Sequence, residues 1–141
     1  GNNISQKHFP DSKSSFSESV VRNSLKKFLE TEVDPMTGSN IWEDVKKEEA
    51  TGVNLNIDVG AKHVASSNQA VFEVKIDPIS AQDVNQLVGY MVAKGRSHGY
   101  LVGPAMSDNA ITQIANWKKA LNSVVDIKFW DYNNEYKKIM P

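Results

Sequence analysis

The chain has 141 residues, 40% of them hydrophobic, which is enough apolar material for one core and one globular domain. Its 16 basic residues stand against 17 acidic ones, a net charge of −1, so no basic surplus announces non-specific binding to nucleic acid. The absence of cysteine excludes disulfides, zinc–thiolate centres and iron–sulfur clusters, and fits an intracellular setting, cytoplasmic or around nucleoid or nucleus.

No apolar run approaches the ~20 residues of a membrane span, so no membrane partner is expected. The chain opens on Gly1 without an initiator methionine, and further domains of a longer chain are expected around it. Residues 1–13 are polar and aperiodic and read as a flexible arm. Residues 14–132 read as the folded domain, and 133–141 as a polar tail.

From Ser15 the pattern turns helical, with Phe16, Val20, Val21, Leu25, Phe28 and Leu29 on one apolar side. Ser15-Phe16-Ser17-Glu18 has the form of a capping box, Ser15 as N-cap and Glu18 at N3. The helix should fade near Glu32, ahead of Asp34-Pro35. Residues 36–40 are turn material. Residues 41–45, around Trp42, read as a short strand or a turn-like segment, and the charged residues 46–52 as an exposed stretch.

Two strands are expected next. Over residues 53–59, Val53, Leu55, Ile57 and Val59 alternate with Asn54, Asn56 and Asp58; over 71–76, Phe72, Val74 and Ile76 alternate with Glu73 and Lys75. A hairpin is the simplest connection. With Ser66-Ser67 at its turn, Asp58 lies opposite Lys75 and Glu73 one step diagonal, while Gly60 leaves room for a bulge. Glu73 and Lys75 then share a solvent-facing side, away from the core.

Ser80 caps the next helix, in which Val84, Leu87, Val88 and Met91 recur at i, i+3, i+4, i+7, and Gly95 stops it. Residues 99–103 form a short central strand. Ser107 opens a helix with Ile111, Ile114, Ala115, Trp117 and Leu121 on its apolar side, and residues 124–130 are a last strand. The order is α-β-β-β-α-β-α-β, or one strand fewer if the Trp42 segment is a turn. This is an α/β fold, a mixed central β-sheet flanked by helices.

The chemistry that this arrangement suggests is phosphodiester hydrolysis. Mg²⁺ or Mn²⁺ takes oxygen ligands, typically one or two carboxylates completed by water. Asp58 and Glu73 supply such carboxylates, and the main-chain carbonyl of Val74 a third oxygen. Lys75 is the cation that would orient the water or steady the phosphate. The plainer alternative is an ordinary solvent-exposed sheet face. His63 near the hairpin turn reads as incidental, Arg96 with His98 as positive charge at a strand's entry, and Trp42, Trp117 and Trp130 as core or rim aromatics. P-loop, Ser-His-Asp and H-E-x-x-H patterns are absent from the sequence.

The helix after Lys75 carries Gln86-Leu87-Val88-Gly89-Tyr90. With Asp58 and Glu73-Val74-Lys75, this resembles the PD-(D/E)XK nuclease superfamily, and Gln86 with Tyr90 is similar to the Q-x-x-x-Y motif of its RecB-type branch. The residue before Asp58 is Ile57, not the proline of the pattern. The resemblance implies a restriction-endonuclease-like core and a metal-dependent deoxyribonuclease. Asp58 and Glu73 would be metal ligands, Lys75 the catalytic lysine, Glu18 a first-helix acid joining the site, and Gln86 and Tyr90 its helix-borne flank. Helical spacing places Gln86 and Tyr90 roughly opposite the Val84–Met91 stripe, outside the core. DNA is the implied partner, with a second copy of the chain where two strands are cut. A different class of function keeps the fold without cleavage: a module that binds nucleic acid or a partner subunit.

Overall fold

The computed structural model describes residues 17–50, 56–122 and 124–132. The arm and tail expected at 1–13 and 133–141 lie outside these residues, as do Ser15, Phe16 and the first half of the strand expected at 53–59. Among the described residues the elements run α1 (Glu18–Thr31), β1 (Trp42–Ala50), β2 (Asn56–His63), β3 (Gln69–Val74), α2 (Ala81–Lys94), β4 (His98–Gly103), α3 (Asp108–Ala120) and β5 (Asp126–Asp131). The expected order holds, with the Trp42 segment as a full strand. No helix among them is long and apolar enough to cross a membrane.

The sheet has spatial order β1-β2-β3-β4-β5. β1, β2 and β3 pair antiparallel, and β3, β4 and β5 pair parallel, so β3 is the strand at which the sheet changes character. Two apolar clusters fill its two faces. On one, Val21, Leu25, Phe28 and Leu29 of α1 pack against Trp42, Val59, Ala61, Ala70, Phe72 and Val74. On the other, Val84, Leu87, Val88, Tyr90 and Met91 of α2 pack against Val71, Leu101 and Ile127. A sheet covered on both sides leaves little room for a solvent-facing side chain on its inner strands.

Several expectations change for local reasons. Ser17, not Ser15, caps α1: its hydroxyl accepts from Val20 N at 3.4 Å, and Glu18 becomes the first helical residue instead of N3. Residues 46–50 form the body of β1, because Asp44 at φ 52° lets a register shift between Glu43 and Lys46 carry the pairing onward. β2 runs through Gly60 to His63. Ile57 and Val59 pack in opposite clusters; β2 pairs with β3 only from Val59 onward, so Ile57 is not tied to that ladder's alternation. Ile111 is exposed on α3, where Ala110 is the buried anchor.

The hairpin register also differs from expectation by two residues. Val59 pairs with Phe72, which sets Asp58 opposite Glu73, not Lys75. The turn is centred one residue earlier than Ser66-Ser67, with His63 N donating to Asn68 O (2.8 Å) and Ser67 in the left-handed region at φ 63°. Beyond β3, Ser80 caps α2 in a reciprocal capping box with Asp83, and Gly95 ends it at φ 65°, both as expected. α2 lies close on the sheet because Gly99 of β4 has no side chain. A Cβ there would sit 2.6 Å from Met91 Sδ. That close approach brings the α2 side chains over the end of β3.

Candidate active site

The carboxyl ends of β3 and β4, the edge of β2 and the first turns of α1 and α2 meet at one place. In open α/β sheets this end of the parallel strands is where ligands are generally held. Pairing of β2 with β3 stops at Val59–Phe72, and the next free donor, Val74 N, is taken by the Asp58 side chain: Oδ2 accepts at 2.8 Å. Its other oxygen, Oδ1, faces Arg22 Nη1 of α1 at 3.3 Å. Asp58 is therefore fixed from both sides, by the strand it completes and by the helix above.

Glu73 corrects the picture of a solvent-facing strand. By alternation it points to the α2 side, where it is 3% exposed, the one buried charged residue among those described. Its Oε2 lies 3.7 Å from Lys75 Nζ, while Oε1 is buried without a hydrogen-bond partner. Burial pushes its pKa up to about 8, and Asp58, Glu18 and Asp83 push the same way while Lys75 opposes them. At neutral pH the protein alone thus favours a protonated Glu73. An orphaned carboxylate oxygen in a covered site is costly, and active sites are where such strained ionisation collects.

β3 ends at Val74, so Lys75 stands just past the strand with its N–H donated to Val102 O at 2.8 Å. Its side chain is 21% exposed, and its ammonium gathers three partners: Glu73 Oε2 at 3.7 Å, Asp83 Oδ1 at 3.7 Å and Gln86 Oε1 at 3.1 Å. Gln86 Nε2 in turn donates to Tyr90 OH at 3.1 Å. The chain Lys75–Gln86–Tyr90 is built by i, i+4 spacing on α2. Tyr90, expected outside the core, is 4% exposed and belongs to the α2-side cluster. It stands only about 60° around the helix from Leu87 (at ~100° per residue), so the buried stripe of α2 widens to include it. Burial first, then Glu73 and Asp58, raise the pKa of its hydroxyl.

The structure brings Asp58, Glu73, Lys75, Gln86 and Tyr90 together, with Glu18 near enough for its charge to act on Glu73. It does not bring Arg96 there. Arg96 sits at the opposite end of β3 and β4, where Nη1 donates to Ala70 O at 3.2 Å. His63 and His98 lie at that far end too, lining a cavity of about 260 Å³ with Trp42 and Tyr100. Two members of the cluster escaped the sequence reading. Asp83 was detectable as N3 of the α2 capping box, and Arg22 as the residue four after Glu18 on the same helix side.

The carboxylates of Asp58 and Glu73 are hard oxygen donors, and the buried unpartnered Oε1 of Glu73 is an atom that a cation would satisfy. Such a set fits Mg²⁺ or Mn²⁺ and does not fit a soft metal. Among the described residues no group of three or more His, Cys, Asp or Glu side chains is gathered as a ready-made metal cage, so water would have to complete the shell.

No protein-family model matches this chain, and no curated protein sequence matches it. Among solved structures it is similar to the crystal structure of a repair endonuclease from Pyrococcus abyssi, with a TM-score of 0.57 and 17% identity over 82% of this chain and 46% of that one. It is also similar to the structure of an EndoMS–dsDNA2 complex, with a TM-score of 0.49 and 18% identity over 64% of this chain and 36% of that one. The chain spans less than half the length of either. The first likeness shows the fold: a mixed five-stranded sheet between helices, the restriction-endonuclease-like core.

Proposed function

We propose that this restriction-endonuclease-like domain is a nuclease that hydrolyses DNA phosphodiester bonds with Mg²⁺ or Mn²⁺. The observation that carries the reading is the buried Glu73, with one oxygen unpartnered and a pKa near 8, beside Asp58 and Lys75. A structural ion pair would satisfy both oxygens; a binding site for a cation leaves one waiting. Asp58, Glu73 and the Val74 carbonyl would hold the metal, which supplies charge neutralisation at the phosphate and a more acidic water.

Each remaining residue has work that its contacts suggest. Lys75, held by Gln86 and Asp83, presents a positive charge where the attacking water or the strained phosphate would sit. Gln86 is anchored by Tyr90 and so fixes the lysine's direction; in this reading the two make up the RecB-type Q-x-x-x-Y pair. Glu18 adds negative charge that favours a cation at Glu73. DNA is the preferred substrate class on the strength of the endonuclease-like fold.

A second reading keeps the fold as a binding module without cleavage. The lack of a three-residue acidic or histidine cage among the described residues favours it. Incubating duplex and single-stranded DNA with the protein and Mn²⁺ separates the two. Cleavage that disappears in Glu73→Ala supports the nuclease, whereas cleavage by Glu73→Ala equal to wild type removes the assignment.

A further inference from the structure

The lysine ammoniums that the fold holds in place are of two kinds. Lys26 faces Glu30, Lys62 faces Glu43, Lys75 faces Glu73 and Asp83, and Lys128 faces Asp126. Lys47 differs: its Nζ donates to Asn23 Oδ1 at 2.7 Å. A short bond to a neutral amide fixes the direction of the ammonium and leaves its charge whole. Both residues are exposed.

The place of that charge gives it a use. Lys47 on β1 pairs with Val59, the residue after Asp58, about 4.8 Å away across the ladder. Asn23 follows Arg22 on α1, and Arg22 reaches Asp58. Lys47 therefore stands beside the carboxylate site on its α1 flank. Lys27, also exposed, is four residues after Asn23, on the same side of α1 and roughly 6 Å further along it. Among the described residues no carboxylate is paired with Lys27 or Lys47. Glu30, the acid that α1 turns the same way, is held by Lys26 at 2.7 Å. Glu18, Asp58, Glu73 and Asp83 make the site itself acidic, so a polyanion approaches it favourably only where cations flank it. An ammonium is a point charge suited to a phosphate oxygen.

We propose that Lys47, aimed by Asn23, and Lys27 one turn further on form a strip that holds backbone phosphates of DNA beside the site. This rests on the nuclease reading and adds to it the path of the substrate strand, along α1 and the β1 edge.

The test uses the whole protein and a fluorescein-labelled DNA duplex of mixed sequence. Binding is read by anisotropy in EDTA over a range of salt, and cleavage separately in Mn²⁺. Every variant is checked for folding by circular dichroism. Lys47→Gln should flatten the plot of log affinity against log salt by about 0.9, one phosphate contact, and so weaken binding about eightfold at 0.1 M salt. Adding Lys27→Gln should flatten it by about 0.9 again. Lys47→Arg, which keeps the charge, should retain the wild-type slope. Asn23→Ala should also retain the slope but weaken binding, because the charge remains and its direction is lost. Lys119→Gln, on the far side of the sheet in α3, should match wild type. In Mn²⁺, Lys47→Gln should raise KM for cleavage with little change in kcat, the mark of a contact made equally in ground and transition states.

A salt slope in Lys47→Gln equal to wild type, or a loss no larger than that of Lys119→Gln, overturns the proposal. So does a fall in kcat without a rise in KM. Asn23→Ala binding that equals wild type removes the aiming role of the amide. Wild-type DNA binding that depends on Lys47 but brings no cleavage in Mn²⁺ removes the nuclease reading and leaves the strip. Cleavage by a protein whose binding ignores Lys47 and Lys27 removes the strip alone.

Discussion

Phe72 and Glu73 are neighbours on β3, both almost fully buried, yet their surroundings are opposite in kind. Phe72 stacks on Tyr100 with ring centroids 4.6 Å apart and meets Trp42 edge-on at 5.4 Å, in an aromatic group that also holds Trp130. Every contact there is satisfied by packing. Glu73, one residue on and across the sheet, is left with an unpartnered oxygen, a neighbouring carboxylate and a displaced pKa. The lesson is that one strand carries the fold on one face and keeps an unsatisfied carboxyl group on the other. Burial alone does not tell the two apart; satisfaction does.

The sharpest separation comes from truncating each neighbour. Glu73→Ala should reduce DNA cleavage by about 10³-fold or more, the scale of a lost electrostatic element in the transition state, with the folded signal in circular dichroism retained. Phe72→Ala should do the reverse. It should cost about 3–5 kcal/mol of stability in urea unfolding, with Mn²⁺ affinity unchanged wherever the protein is still folded. If Phe72→Ala were as damaging to Mn²⁺ binding as Glu73→Ala, the two faces would not be separable.

pH sharpens the same contrast. The Glu73 pKa rises from 4.5 to about 8 on folding, so the folded state holds the proton more tightly than the unfolded chain. Its contribution is complete below pH ~4.5, is lost as pH rises towards about 8, and is flat above that. Metal-free wild type should therefore lose stability across this window, while Glu73→Gln, which cannot ionise, should not. A cation reverses the preference: Mn²⁺ binding near pH 7 should release about one proton, seen as a buffer-dependent calorimetric enthalpy.

Smaller effects are expected from the α2 support. Gln86→Ala leaves Lys75 with its carboxylate partners but without the amide that directs it. Cleavage should fall about 10–100-fold, the usual cost of losing an outer-shell orienting group, with little change in Mn²⁺ affinity. A loss of Mn²⁺ affinity matching the loss of rate would place Gln86 at the metal itself.

Much of this was legible in the sequence because it depends on local rules. The caps at Ser80 and Ser107, the stop at Gly95 and the period-two runs gave the element order, and the E-x-K and Q-x-x-x-Y spacings picked out residues that do meet. What stayed hidden depends on contacts between distant segments. The hairpin register turned on the left-handed Ser67, which moved Asp58 opposite Glu73. The burial of Glu73 followed from α2 covering that face, a packing event that an alternating strand pattern does not reveal. The burial of Tyr90 was not foreseen because α2 was read as a one-sided helix, whereas it packs on both the sheet and α3. Arg22 looked like any polar helix residue until α1 was laid across β2.

The most direct measurement is a crystal structure of the wild-type protein soaked in Mn²⁺, read by anomalous scattering. A single strong peak within bonding distance of Asp58, Glu73 Oε1 and the Val74 carbonyl is the predicted result. Density showing Glu73 still without a partner, with manganese elsewhere or absent at saturating concentration, would contradict the account.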